Sequence, residues 1–103
     1  KIVLTGVYFN NSEVGAASYD RENDIFEVYL APRIEGFYHG TGDVFASALL
    51  AGLLNDKTLA EATKIAVDFT EDSIIKTREA GTDTRFGVLF EQVIPTFIRK
   101  LGL

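Results

Sequence analysis

Apolar residues recur at strand spacing in the first third of the chain and at helical spacing thereafter. Lys1 to Val7 (KIVLTGV) is an apolar, β-branched run, the pattern of a strand buried on both faces. Asn10-Asn11-Ser12 is a turn signal. Val14 to Tyr19 and Ile25 to Leu30 flank the polar stretch Asp20-Arg21-Glu22-Asn23-Asp24, which predicts a hairpin. Alternation places Phe26, Val28 and Leu30 on one face, and Pro32, which has no N–H for a ladder, ends that strand.

From about Gly42 to Asn55 the chain is apolar nearly all round, through Val44, Phe45, Ala48, Leu49, Leu50, Leu53 and Leu54. Such a helix is expected to be buried rather than to lie on the surface. Its small residues Ala46, Ser47, Ala48, Ala51 and Gly52 permit close packing, and Asn55-Asp56 breaks it. Thr58-Leu59-Ala60-Glu61 is a capping box that starts a long helix, with Leu59, Ala62, Ala66 and Phe69 at helical spacing and Gly81 placed as its C-terminal cap. Phe90, Val93, Ile94, Phe97, Ile98 and Leu101 predict a last amphipathic helix. Pro95 makes it begin near Val93 or kink there, and Arg99 and Lys100 suit the dipole of its end. Strand, hairpin and three helices make an α/β chain, and no internal repeat is visible.

Composition narrows the function classes. At 103 residues with 47% apolar content, the chain is one domain or part of one with enough apolar surface for a core. No run reaches membrane-helix length, and no signal peptide is visible. With no cysteine, disulfides and thiolate metal sites are excluded, which fits the cytoplasm. A net charge of −5 with scattered Lys and Arg argues against nucleic acid as the partner. The chain begins at Lys1 and contains no methionine, so the expectation is a piece of something longer.

The densest chemical signal is Gly40-Thr41-Gly42-Asp43, a glycine turn opening directly into the apolar helix. Unpaired N–H groups at a helix start attract anions, and glycines let a phosphate approach the backbone. Asp43, in the first turn, is favoured there by the helix dipole by about 0.3–1 kcal/mol whatever its function. A carboxylate beside an anion site also suits the removal of a proton from a hydroxyl that attacks phosphorus. A P-loop is a poor fit, since no Gly-Lys-Ser/Thr follows the glycines. His39, the single histidine, reads as a turn residue or loop cap, and with no second histidine or cysteine nearby it does not mark a zinc site. Phe37 and Tyr38 read as packing for that loop. Gly81-Thr82-Asp83 is explained as a helix end and polar turn, though it could approach a nucleotide. Asp68, Glu71 and Asp72 read as a solvated acidic patch.

HGTGD followed by VFASALLAGLL resembles the signature of the ribokinase-like superfamily, specifically its pyridoxal kinase branch, and the likeness runs from KIVLTGV through AGTDTRFGV to the final helix. It covers the C-terminal part of such a kinase. The resemblance implies a portion of a three-layer α/β/α sandwich, with residues 1–103 as the nucleotide and anion-hole portion and the N-terminal substrate-binding portion absent. It implies ATP-dependent phosphorylation of the 5′-hydroxymethyl group of pyridoxal, pyridoxine or pyridoxamine, with Asp43 as the base that deprotonates that alcohol. The amides of Gly40, Thr41 and Gly42 become the anion hole, with Gly40 and Thr41 also touching the nucleotide. Thr5 matches a strand-end threonine near the nucleotide phosphates and a monovalent cation. ATP and Mg²⁺ are then the expected cofactors, with K⁺ at Thr5. The substrate is a small pyridoxal-like molecule, with no nucleic acid or membrane partner. The expected assembly is a homodimer, or association with the absent N-terminal portion.

A neighbouring branch phosphorylates hydroxymethylpyrimidine and its phosphate on the way to thiamine, commonly with Cys where this chain has Asp43. Asp43 leans towards the pyridoxal branch without excluding the pyrimidine. Sugar and nucleoside kinases share a glycine turn ending in Asp, in a longer context less like HGTGDVFASAL. A non-catalytic remnant or interaction domain is the reading from a different class, against which the retained glycines and Asp43 speak.

Overall fold

A computed structural model describes residues 1–36, 38–81 and 87–103. Three strands come first, β1 (Ile2–Val7), β2 (Glu13–Asp20) and β3 (Ile25–Pro32), followed by helices α1 (Thr41–Leu54), α2 (Leu59–Ala80) and α3 (Ile94–Lys100). A 3-10 turn over Glu91–Val93 leads into α3, whose first turn holds Pro95 where its missing N–H costs nothing. Strand, hairpin and three helices stand where the hydrophobic pattern puts them. Phe37 and the Thr82-Asp83 turn, with most of the AGTDTRFGV stretch, lie outside the described residues.

The sheet has the order β1-β2-β3 with both pairings antiparallel. Directly opposed residues share a face, so the register puts Val3, Thr5, Val14, Ala16, Ser18, Tyr29 and Ala31 on one side. That side holds the buried Ala16, Ser18 and Ala31 and packs on α2. The other side carries Ile2, Leu4, Ala17, Tyr19, Phe26, Val28 and Leu30, and Ile2, Leu4 and Phe26 are 66%, 62% and 65% exposed. The expectation that the first strand is buried on both faces is therefore corrected. β1 is an edge strand with one neighbour, and among the described residues helices cover only one face of the sheet.

The helices form an antiparallel pair, α1 on α2, closed by a turn in which the Asn55 amide side chain donates to Ala51 O at 2.8 Å. At the contact a Cβ on Gly52 would stand 2.8 Å from the Ala62 Cβ, so only glycine permits this approach. Two apolar clusters result, one around Ala48, Ala66, Phe69 and Val93, the other around Ala16, Ala31 and Val67. Phe45 packs against both, and the Phe69 and Phe97 rings lie 4.5 Å apart. The helix expected to be buried all round is buried only at Ala48 and Gly52; Ala46, Ser47, Leu50 and Leu54 are exposed because α2 covers one side of it. Thr58 caps α2 by accepting from the Glu61 N–H at 3.1 Å. The return half of the predicted box differs, since the Thr58 hydroxyl itself donates to Glu61 Oε1 at 3.0 Å. Gly81 ends α2 in the left-handed conformation, as predicted, with φ 64°.

Candidate active site

The glycine turn and α1 build one surface from local rules. Gly40 is the N-cap at φ 84°, a conformation a side chain would strain, and no side chain caps the helix start. The first N–H used inside the helix is that of Val44, which donates to Gly40 O at 3.0 Å. The amides of Thr41, Gly42 and Asp43 precede it and have no carbonyl one turn back. Gly42 has no positive φ, and a Cβ there would meet nothing within 4 Å. The chain's own packing therefore does not require glycine at position 42. A bare backbone at a helix start is what the close approach of a phosphate would use.

Thr41 and Gly42 open into a cleft of about 360 Å³ between the sheet and α2. Thr5 and Gly6, at the end of β1, line the same cleft, beside Ala31, Ile34 and Phe45. The ladder register shifts between Thr5 and Val7, and Gly6 takes φ 71°, so a bulge turns the strand end there. The structure thus brings Thr5, Thr41 and Gly42 to one cavity. Gly40 and Asp43 are exposed at the head of α1 and do not line it.

The opposite wall is α2, through Val67, Thr70, Glu71 and Ile74. Glu71 and Asp72 were expected to be solvated, and they are half-buried instead. Burial first, then the neighbouring Asp72 and Asp68, push the Glu71 carboxyl above the usual range. Burial likewise raises that of Asp72, partly offset by Lys100. Asp68 is structural, because it accepts from the Tyr29 hydroxyl at 2.8 Å and from Lys100 Nζ at 3.2 Å. Burial and that bond push the Tyr29 phenol up to about 12. The spacing of residues 67, 70, 71 and 74 puts them on one helix face, which groups them in the sequence without showing what lies opposite.

Behind the turn, the Val88 N–H donates to His39 O at 3.2 Å, and the Leu89 N–H donates to the buried hydroxyl of Thr77 at 2.8 Å. His39 thus serves the loop as expected, through its backbone. Bare amides, an unfilled glycine and an adjoining mostly apolar cleft fit a nucleotide's phosphates and base. Among the described residues no group of three or more His, Cys, Asp or Glu gathers to hold a metal, and no helix is long and apolar enough to cross a membrane.

Known structures share this fold. The structure superposes on pyridoxal kinase from Lactobacillus plantarum with a TM-score of 0.82 and 26% identity, covering 94% of this chain and 34% of that one. A structure from Bacteroides thetaiotaomicron VPI-5482 attributed to phosphomethylpyrimidine kinase gives 0.82 and 27%, over 88% and 31%. The fold is thus ribokinase-like. A hydroxymethylpyrimidine/phosphomethylpyrimidine kinase of Aquifex aeolicus (strain VF5) is 32% identical over 81 residues, 78% of this chain and 31% of that protein. The chain spans about a third of the length of these relatives. Residues 1–87, from β1 through the glycine turn and α2, match the Phosphomethylpyrimidine kinase family, and the chain belongs to that family.

Proposed function

We propose that this chain is the C-terminal nucleotide and anion-hole portion of an ATP-dependent kinase for the 5′-hydroxymethyl group of pyridoxal, pyridoxine or pyridoxamine. The observation that carries the reading is the head of α1, where bare glycine-turn amides meet a first-turn carboxylate at the mouth of a cleft. Asp43 takes the proton of the attacking hydroxyl. The amides of Gly40, Thr41 and Gly42 stabilise charge on the transferring phosphoryl group as the oxygen–phosphorus bond forms and ADP leaves. Thr5 lies beside the nucleotide phosphates and, with K⁺ there, would help neutralise them. Mg²⁺ accompanies the nucleotide and supplies further charge neutralisation. Work on a small alcohol in the cytoplasm, as a homodimer or with an N-terminal portion, belongs to the same reading.

The family match and the Aquifex aeolicus relative favour a second reading with the same chemistry, hydroxymethylpyrimidine or its phosphate as the alcohol. A coupled ATP-consumption assay on the full-length gene product, offered pyridoxal and hydroxymethylpyrimidine side by side, decides between them. Asp43→Asn is expected to lower kcat by about 10²–10⁴-fold with nearly unchanged nucleotide affinity. Unaltered turnover in that variant removes the general-base role, and no turnover with either alcohol removes both readings.

A further inference from the structure

Two hydroxyls lie fully buried one turn apart on α2, Ser73 and Thr77, with 0% and 1% exposure. Each donates to the carbonyl four residues back, Ser73 to Phe69 O and Thr77 to Ser73 O, both at 2.7 Å. That back-bond alone satisfies a helix hydroxyl. Thr77 does more, because its Oγ1 also accepts the Leu89 N–H at 2.8 Å. Val88, the residue before, donates to His39 O at 3.2 Å. His39 is joined by one peptide bond to Gly40, the N-cap of α1. A continuous path therefore runs from the interior of α2 to the residue that aims the α1 amides.

The glycine turn needs such a hold. Gly40 has no side chain to anchor it, no side chain caps α1, and a Cβ at position 40 or 42 would meet open space. Beside the Val88–His39 bond the two segments are in ordinary contact, since a Cβ on Gly87 would stand 3.8 Å from His39 O.

We propose that Thr77 is a positioning residue for the anion hole, fixing the Gly40 turn through Leu89, Val88 and the His39 carbonyl. This rests on the reading of Gly40–Gly42 as an anion hole. Thr77→Val keeps the shape and removes the acceptor, Thr77→Ser keeps the acceptor, and Ser73→Ala removes a matched hydroxyl whose hydrogen bond, among the described residues, stays within α2. The readouts are MgATP affinity by calorimetry and amide hydrogen exchange at Val88 and at Val44, whose N–H donates to Gly40 O. Thr77→Val is expected to weaken MgATP binding by about tenfold and to speed exchange at both amides. Thr77→Ser stays near the parent, and Ser73→Ala moves neither readout even where it lowers stability as much. Equal behaviour of Thr77→Val and Ser73→Ala overturns the proposal. If Thr77→Val fails to fold, native-state exchange on the unmutated chain decides: one shared opening free energy for Val88, Leu89 and Val44 supports the coupling, and separate ones overturn it. A parent chain that binds no MgATP strikes the anion-hole reading, and exchange in the free chain still decides the coupling.

Discussion

Gly40 and Gly42 are two glycines in one motif with different reasons to be glycine, and substitution separates them. Gly40 sits at φ 84°, so Gly40→Ala is expected to destabilise the chain by about 1 kcal/mol in urea unfolding. Gly42 has helical φ and open space around its missing Cβ, so Gly42→Ala is expected to leave stability unchanged or raise it by up to about 1 kcal/mol. The same methyl stands where a phosphate would approach, and MgATP affinity is expected to fall with Gly42→Ala despite the gain. Loss of stability without loss of affinity would mean that position 42 serves the fold. This motif was legible because its chemistry is local: a positive φ, free amides and a first-turn acid lie within four consecutive residues. Thr77 and Glu71 were not legible, because each acquires its role from a segment that folding brings opposite it.

At the scale of elements, periodicity located the three strands and three α-helices among the described residues, while burial depended on what each element found as a neighbour. The α1–α2 contact is tight where Gly52 meets Ala62, and Gly52→Ala is expected to cost about 1–3 kcal/mol by forcing the helices apart. Thermal unfolding checks this, and an unchanged midpoint would mean the pair can slide. The acidic wall of α2 was misread as solvated because an i, i+3, i+4 acid cluster looks alike in water and under a cleft. Asp68, Glu71 and Asp72 repel one another across one to four residues, and burial adds to the cost for the last two. A carboxyl whose folded pKa is raised stabilises the fold below its unfolded pKa and loses that contribution as pH rises through the folded value. Glu71→Gln is therefore expected to raise the melting midpoint at pH 7 by about 1–4 °C, with the advantage vanishing once pH falls below the ordinary carboxylate range. An equal gain at every pH would point to packing instead of charge. Tyr29, raised to about 12, follows the same sign at the alkaline end, where its share of stability is lost as pH climbs from 10 towards 12.

The whole molecule explains why β1 was misjudged. KIVLTGV reads as a strand with apolar residues on both faces, and it has them; among the described residues no element covers the second face. Ile2 and Leu4 on β1 and Phe26 on β3 share that open face with the half-buried Val28 and Leu30, and these three exposed side chains add little to the stability of this chain. The hydrophobic contribution of a side chain scales with the area it removes from water, which for Ile2 and Phe26 is small here. The double substitution Ile2→Thr with Phe26→Thr is thus expected to change the unfolding free energy by less than about 0.5 kcal/mol. By contrast, Ala16→Leu, on the covered face at 0% exposure against Val67, is expected to cost about 1–3 kcal/mol. Sedimentation at rising concentration adds a second reading, because a contiguous exposed apolar face promotes association. The parent chain is expected to grow heavier with concentration, and the double variant to do so less. If the double variant instead loses several kcal/mol, the face is covered in solution, and the continuous apolar run KIVLTGV was a literal description of its surroundings.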